Sequence, residues 1–234
     1  MSNGQASAPQ RILIVAPNWV GDAIMSVPAL RAIRELYPKA KISCLMRRYV
    51  KPMFTGLPWV DRLITYRSRG ESHRGRRKPR AGKGRFFDLA ARLRAGRFDL
   101  AVLLTNSFRS ALLCKAARIP RVVGYDRDGR SFLLTDRLLP ARERGKFVPS
   151  PIIRYYLGIA SYLGAPSRDL RMELAITPRE RRRAEEVLER AGIDTSAGRP
   201  GPLVILNPGA QYGAAKCWLP SPIVSTRSRM PRSC

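Results

Sequence analysis

Three small or polar residues follow the first apolar run of the sequence, at a spacing that suits a ligand site. Residues 12–16 are apolar and rich in β-branched side chains, and Asn18, Gly21 and Asp22 lie just after them. In an open α/β sheet this loop lies at the carboxyl edge, where ligands bind. Apolar positions at helical spacing then predict one helix opened by Asp22, whose carboxylate can cap N–H groups, worth ~1 kcal/mol, or do chemistry. Both interpretations stay open at this point.

A loop of similar composition follows an apolar run near the end of the sequence. Residues 203–206 read LVIL, which predicts a strand, and a small-residue loop with a cation comes next. The residues of interest in this loop are Asn207, Gly209, Ala210, Gly213 and Lys216. Such a loop offers backbone N–H groups to a phosphate, and the Lys216 ammonium adds a point charge. The pattern matches neither a Walker A loop nor a G-x-G-x-x-G fingerprint, so it is a weak signal by itself.

A third polar group, Asn106 and Ser107, follows a buried strand predicted at residues 99–104. These residues begin a helix that is predicted to end before Pro120. Because they too follow the carboxyl end of a strand, we expect them at the same cleft edge as Asp22. Helix capping and ligand contact both suit their side chains, and the two roles are compatible.

The elements that must position these residues alternate between strand and helix. A capping box at residues 177–180 and Gly192 mark the two ends of the last predicted helix. The tyrosines of the helix before it are expected to pack rather than to bind. The further strands are predicted at residues 41–46, 60–66 and 121–125, and the further helices at residues 86–95, 148–164 and 178–191. This alternation predicts an α/β fold with a parallel sheet.

Length and composition exclude several classes of protein. With 234 residues, 44% of them hydrophobic, the chain can bury one good core, or one domain plus a piece of a second. Residues 1–10, expected to be disordered, lack a secretory pattern, and no run approaches the ~18 apolar residues of a membrane span. We therefore expect a cytoplasmic protein. The four cysteines are scattered and His73 is the only histidine, so neither a disulfide framework nor a metal site is expected.

The formal net charge of +27, from 44 Lys and Arg against 17 Asp and Glu, favours a polyanionic partner. Nucleic acid, an anionic membrane face and a phosphorylated substrate all fit this requirement. A GC-rich genome also supplies arginine, and that explanation covers most individual arginines. The densest charge lies in an Arg/Gly-rich loop (residues 67–85), which lacks periodicity and is longer than usual connections.

Three blocks of the sequence together resemble one enzyme family. PNWVGDAIMSVPALRAI at residues 17–33, TNSFRSALLCKAARIPRVVGY at 105–125 and NPGAQYGAAKCW at 207–218 are similar in order and spacing to the ADP-heptose:lipopolysaccharide heptosyltransferases. The resemblance covers approximately residues 11–220, with the Arg/Gly-rich loop as a local departure. It implies a GT-B fold, in which two Rossmann-like domains face a cleft, the first holding the acceptor and the second the nucleotide sugar.

The resemblance also implies roles for particular residues. Asp22 matches the family's general base, which takes the proton of the attacking acceptor hydroxyl. Lys216 and the loop from Asn207 to Gly213 match the positions that hold the diphosphate of the donor, ADP-heptose. The residues matched to the acceptor side are Asn18, Gly21, Asn106, Ser107 and Arg109. The implied reaction is inverting and needs neither metal nor cofactor.

The implied acceptor is the anionic lipopolysaccharide core, heptosyl-Kdo-lipid A. Its phosphates and carboxylates would account for part of the basic excess. Because this acceptor is built on a lipid, contact of the enzyme with the inner membrane face is a further expectation. The resemblance implies no specific nucleic acid partner.

The end of the sequence departs from the family pattern. We expect an acceptor-side domain at residues 11–193, a linker at 194–202 and only the start of the nucleotide-sugar domain at 203–220. Residues 221–234 resemble no packed element and are expected to be an aberrant tail. On this interpretation the second domain is truncated, and the chain is expected to be inactive by itself.

Two other classes of function are weighed against the transferase. A nucleic-acid-binding protein would use the Arg/Gly-rich loop against phosphates, although His73 is the only possible stacking residue there. A nicotinamide-dependent dehydrogenase would suit the Rossmann-like start, but the sequence lacks the glycine fingerprint. Binding of DNA at near-physiological salt, or of NAD, would favour one of these alternatives.

Overall fold

Alternating strands and helices build one parallel sheet in a computed structural model of the chain, which describes residues 8–66, 84–144, 146–165 and 169–193. The chain divides into two units, Met1–Ala175 and Ile176–Cys234. The predictions for residues 194–234, namely the linker, the second-domain start and the tail, lie outside the described residues. The same holds for residues 1–7 and for residues 67–83 of the Arg/Gly-rich loop.

The sheet of the first unit has six strands, and each strand is parallel to its neighbours. The strands are β1 (Arg11–Val15), β2 (Lys41–Arg47), β3 (Arg62–Tyr66), β4 (Leu100–Leu103), β5 (Arg121–Tyr125) and β6 (Asp136–Leu138). They lie in the order β3-β2-β1-β4-β5-β6. This is the strand order of a Rossmann-like fold, so the predicted α/β class with a parallel sheet is confirmed.

Helices cover both faces of the sheet. They are α1 (Val20–Met25), α2 (Val27–Leu36), α3 (Gly84–Ala95), α4 (Phe108–Ala116) and α5 (Ile152–Tyr162). Alternate β1 residues point to opposite faces, so Ile12 and Ile14 join a core with α1, α2 and α5, while Leu13 and Val15 join another with α3 and α4. Both cores are fully apolar at their centres, as a parallel sheet between two helical layers requires.

The helix predicted after the first loop is in fact two helices, broken at Ser26. The buried Ser26 hydroxyl donates a hydrogen bond to the Ala23 carbonyl at 2.7 Å, which ends α1. Pro28 lies in the first turn of α2 and has no N–H to donate to the carbonyl four residues earlier. Apolar periodicity continues across the break, so it could not reveal the interruption.

The helix predicted at 148–164 begins later, at Ile152, because Pro151 occupies its N-cap with a non-helical ψ of 128°. Prolines at 149 and 151 also disfavour helical angles at the residues before them. Strand β6 and a small antiparallel hairpin, β7 (Arg142–Glu143) and β8 (Lys146–Phe147), were not predicted. With three and two residues per strand, these elements are too short to show periodicity.

A buried arginine ties the segment after α5 to the first helical layer. Arg31 of α2 is 3% exposed and donates to the Glu173 carboxylate at 2.5 Å and to the Arg171 carbonyl at 2.7 Å. The Asp169 carboxylate lies 3.5 Å away and balances the same guanidinium. Two carboxylates therefore compensate this charge, as a buried cation requires.

The second unit is described over one helix, α6 (Pro178–Arg190). The predicted capping box is confirmed, since the Thr177 hydroxyl accepts from the Glu180 N–H and the Glu180 carboxylate accepts from the Thr177 N–H. Gly192 follows with φ of 70°, the left-handed conformation that ends many helices. Among the described helices of the chain, none is long and apolar enough to cross a membrane.

Candidate functional site

The order of the strands reverses between β1 and β4, and the loops after these two strands carry the predicted polar residues. The strands are paired along their length, and the Leu104 N–H still donates to the Val15 carbonyl at 3.1 Å. In open α/β folds a crevice forms at such a switch point, beyond the carboxyl ends of the strands. The structure therefore brings the first and middle sequence blocks together at one edge.

A cleft of about 250 Å³ lies on the α3 and α4 side of this edge, and we call it the switch-point cleft. Three of its lining residues, Asn18, Ser107 and Arg109, were predicted site residues. The other lining residues are Val15, Leu45, Arg47, Tyr66, Thr105, Ser110 and Leu113. Arg47 and Tyr66 end β2 and β3, so the same carboxyl-edge rule could have identified them from the sequence.

Asn18 is held in place by two tyrosines from neighbouring connections. The Tyr66 hydroxyl donates to its Oδ1 at 3.2 Å, and the Tyr49 hydroxyl donates to its backbone carbonyl. Tyr66 ends β3, and Tyr49 lies in a 3₁₀ helix at Arg48–Phe54, after β2. The amide is thus positioned by side chains distant in sequence, which periodicity alone does not identify.

Asn106 does not line the switch-point cleft and points instead toward α5. Its Oδ1 accepts hydrogen bonds from the Tyr155 hydroxyl at 2.9 Å and from Arg130 at 3.3 Å. Because both donors meet the carbonyl oxygen, the amide NH₂ is left to donate to a ligand. Neither Asn106 nor Ser107 makes a side-chain capping bond to α4, so the capping interpretation is wrong for both.

Arg130 was not predicted, and it organises the ends of β4 and β5. It has no exposed surface and donates to the Thr105 carbonyl at 2.5 Å, to the Tyr125 carbonyl at 2.9 Å and to Asn106. Burial lowers the pKa of its guanidinium, and Tyr155, followed by the carboxylates of Asp128 and Asp126, opposes that shift. No local sequence signal marks this arginine among 44 basic residues, because its role depends on a tertiary position.

The Asp22 carboxylate is unbonded in the part of the chain that the structure describes. It lies in the first turn of α1, but the N-cap is Trp19, with no side-chain capping bond, and no described residue forms a hydrogen bond or ion pair with the Asp22 carboxylate. Burial raises its pKa. Its charge lies near Tyr156, whose pKa is raised by burial and then by Asp22. Asp22 therefore lies, like Asn106, on the side of the sheet edge that faces α5, and it is not among the residues that line the switch-point cleft.

The remaining predicted residues divide into two groups. Gly21 is exposed, and a side chain there would meet nothing within 4 Å, so close packing does not require glycine at this position. The proposed diphosphate residues, Asn207, Gly209, Ala210, Gly213 and Lys216, lie outside the described residues. Among the described residues, no group of three His, Cys, Asp or Glu side chains could hold a metal ion.

Comparison with known proteins identifies the sequence blocks around this edge. Residues 86–221 match the sequence profile of glycosyltransferase family 9 (heptosyltransferase). Lipopolysaccharide heptosyltransferase 2 of Salmonella typhimurium is 30% identical over 211 residues, which are 89% of this chain and 56% of that protein. The Escherichia coli K12 protein of the same name is 28% identical over the same shares of the two chains.

Solved structures show the same fold. E. coli ADP-heptose lps heptosyltransferase II matches with a TM-score of 0.60 at 24% identity, over 79% of this chain and 51% of that one. A family 9 glycosyltransferase from Veillonella parvula matches with a TM-score of 0.65 at 18% identity, over 82% and 54%. The chain thus spans about half the length of the relatives that it matches. The profile covers more than half of the chain, which confirms the resemblance of the sequence blocks: the chain belongs to glycosyltransferase family 9, the heptosyltransferases.

Proposed function

We propose that the chain forms the acceptor-side half of an inverting glycosyltransferase, which moves heptose from ADP-heptose to the lipopolysaccharide inner core. The observation that carries the proposal is the Asp22 carboxylate, which lies at the carboxyl edge without a bond to any described residue and has its pKa raised by burial. A carboxylate with a raised pKa is a better proton acceptor than an ordinary one. The names of the relatives support the reaction class.

In the proposed reaction Asp22 takes the proton of an acceptor hydroxyl as its oxygen attacks the anomeric carbon of the heptose. The bond between that carbon and the diphosphate oxygen breaks on the opposite face, so the configuration inverts and ADP leaves with the electron pair. Such a base contributes ~10²–10⁴ to the rate. Asn106, with its NH₂ left to donate, would orient the acceptor beside it.

The leaving ADP needs stabilisation of its negative charge rather than a proton. We assign this role to Lys216 and to backbone N–H groups between Asn207 and Gly213, which lie outside the described residues. The ammonium and the N–H groups neutralise the diphosphate without a metal ion or cofactor in this proposal. Family membership argues against the dehydrogenase alternative, and no contact among the described residues favours the nucleic-acid alternative.

The proposed acceptor also places the protein in the cell. Heptosyl-Kdo-lipid A carries phosphates, carboxylates and acyl chains, so we expect a cytoplasmic enzyme that meets its acceptor at the inner membrane face. The net charge of +27 favours such a contact, since a basic protein is drawn to anionic lipid headgroups.

The test is Asp22→Asn in this chain joined to the C-terminal half of a heptosyltransferase relative. We expect turnover to fall ~10²–10⁴-fold while ADP affinity is unchanged, because only the proton transfer is lost. Release of ADP and mass of the glycosylated acceptor are the measurements. Asp88→Asn, at an exposed aspartate of α3, is the matched control. Equal turnover for wild type and Asp22→Asn would remove Asp22 from the reaction.

A further inference from the structure

Among the described residues that line the switch-point cleft, two carry a cationic side chain and none carries a carboxylate. Arg47 enters it from the end of β2 and Arg109 from the first turn of α4. Two guanidinium groups within one cleft repel each other unless an anion lies between them. The charge of the cleft therefore suits a negatively charged group.

Arg47 leaves a hydrogen-bond donor unsatisfied inside the protein. Its Nε is buried and has no acceptor, and the described residues offer its guanidinium neither a hydrogen bond nor an ion pair. A buried donor without an acceptor destabilises the folded protein, so such groups are normally paired. An oxygen of a bound ligand would satisfy this donor.

Arg109 is held from one side only. Its guanidinium lies 5.6 Å from the centre of the Phe86 ring, and no carboxylate within the described ranges pairs with it. A cation over an aromatic ring keeps its N–H groups free at the edge of the guanidinium plane. Arg109 is thus available to form paired hydrogen bonds with a carboxylate or phosphate.

The remaining polar side chains in the described lining of the cleft are neutral, and most of them are hydroxyls. Thr105, Ser107, Ser110 and Tyr66 contribute hydroxyls. Helix α4 begins at the same place, and its positive end adds to the field of the arginines. The volume of about 250 Å³ far exceeds the ~30 Å³ of one water, so a sugar-linked phosphate or carboxylate group has room.

We propose that the switch-point cleft binds an oxyanion, a phosphate ester or carboxylate, between Arg47 and Arg109. The inference rests on the proposed function in one respect, namely that the anion belongs to the acceptor. The cleft and Asp22 then have separate tasks: the arginines anchor an anionic substituent, while Asp22 acts on the hydroxyl. An acceptor without the anionic substituent would bind more weakly, because the buried Arg47 Nε–H would stay unpaired.

Titration of the 234-residue chain with inorganic phosphate at low ionic strength tests the site directly. We expect Arg47→Gln and Arg109→Gln each to weaken phosphate binding about tenfold or more, since each removes a charge-assisted hydrogen bond. Arg62→Gln is the matched control, because Arg62 is exposed and lies at the amino end of β3, whereas the cleft residue Tyr66 lies at its carboxyl end. Arg109 is exposed, so its replacement leaves the core intact. Unchanged binding, or an equal loss in Arg62→Gln, would overturn the site.

Affinity for a heptosyl-Kdo acceptor, before and after phosphatase treatment, then identifies the source of the anion. A loss in Arg47→Gln that disappears after dephosphorylation identifies an acceptor phosphate, and a loss in both forms identifies an acceptor carboxylate. If Arg47→Gln weakens only the binding of inorganic phosphate, the acceptor part of the inference is wrong. None of these titrations requires heptosyl transfer. Failure of the proposed function would therefore give a different pattern, in which phosphate binds in the cleft but the chain joined to the C-terminal half of a relative transfers no heptose.

Discussion

At the residue scale, two predicted side chains with similar sequence contexts have different surroundings. Asp22 and Asn106 both follow buried strands and both could cap a helix. No described residue bonds to the Asp22 carboxylate, whereas Asn106 accepts hydrogen bonds from Tyr155 and Arg130. A carboxylate without hydrogen bonds can accept a proton, while an amide oxygen that accepts two hydrogen bonds fixes the orientation of its side chain. The pair therefore suits a base beside an orienting donor.

The raised pKa of Asp22 leads to a prediction about pH. Burial disfavours its charged form in the folded protein, so the stability of the fold decreases as pH rises through the pKa of Asp22. Asp22→Asn removes this cost, and we expect a small rise in melting temperature at pH 7. Below the ordinary aspartate pKa of 3.8 the rise should vanish, because the carboxyl is then protonated in both states. Thermal unfolding at the two pH values is the measurement, and Asp88→Asn serves again as control.

The raised pKa of Asp22 also predicts how the rate of the proposed reaction should depend on pH. On our proposal that Asp22 is the general base, its carboxyl must be ionised for turnover, so the acid limb of the pH–rate profile should lie at a higher pH than an ordinary aspartate would give. A melting temperature of Asp22→Asn below that of the wild type at pH 7 would show instead that the carboxylate stabilises the fold, as a capping group does.

At the element scale, α5 brings a tyrosine to the site through close contact with β5. Tyr155 stacks on Tyr125 with ring centres 3.8 Å apart and planes at 15°, and its hydroxyl reaches Asn106. Gly158, one turn further along α5, leaves room for the Tyr125 hydroxyl: an added Cβ would lie 2.5 Å from it. Tyr155 thus both packs on a neighbouring ring and forms a hydrogen bond at the site, whereas the sequence predicted only packing for the tyrosines of this helix.

A double-mutant cycle tests this contact. Replacing a helix-interior glycine by alanine stabilises a helix by ~1 kcal/mol, but Gly158→Ala must displace Tyr125 in the wild type and should give no net gain. In the Tyr125→Phe background the nearest ring atom would be 3.7 Å away, an ordinary contact, so there Gly158→Ala should stabilise by up to ~1 kcal/mol. Urea midpoints of the four proteins measure the coupling. Equal effects of Gly158→Ala in both backgrounds would contradict the contact.

At the scale of the whole molecule, the strand order brings the predicted polar residues to one edge of the sheet, and the chain spans about half the length of its matched relatives. The described residues contain one parallel sheet with one switch point. The chain covers 56% of the heptosyltransferase 2 sequence from Salmonella typhimurium, so it spans about half the length of that relative. Transfer between two substrates requires both to be held in reacting geometry.

We therefore expect the 234-residue chain by itself to transfer no heptose at a rate above background. A base contributes little unless the donor is held in reacting geometry with the acceptor, and these 234 residues span about half the length of the matched relatives. Mass spectrometry of the acceptor after incubation with ADP-heptose is the measurement. The chain joined to the C-terminal half of a relative is the positive control, and its activity shows that the acceptor half is folded. Transfer by the unaided chain at a rate close to that of the joined protein would contradict this expectation.

Much of the fold and part of the site could be predicted because they depend on local patterns. Apolar runs marked five of the six strands, and strand ends directed attention to Asn18, Asp22, Asn106 and Ser107. The capping box of α6 was predicted because its reciprocal hydrogen bonds join residues three apart in sequence. The short β6 and the break at Ser26 were missed, since neither changes the apolar periodicity.

The family, the α/β class and the loops that carry polar residues could be predicted from the sequence, because they follow from order, spacing and periodicity. The three-dimensional fold was needed to show which side of the sheet edge each side chain occupies. Asp22 and Asn106 lie toward α5, whereas Asn18, Ser107 and Arg109 line the cleft beside α4. It also decided that Arg130, buried without exposure, orients Asn106 from 24 residues away. Such roles depend on which neighbours are brought within hydrogen-bond distance, and that is a property of the folded chain rather than of any local segment.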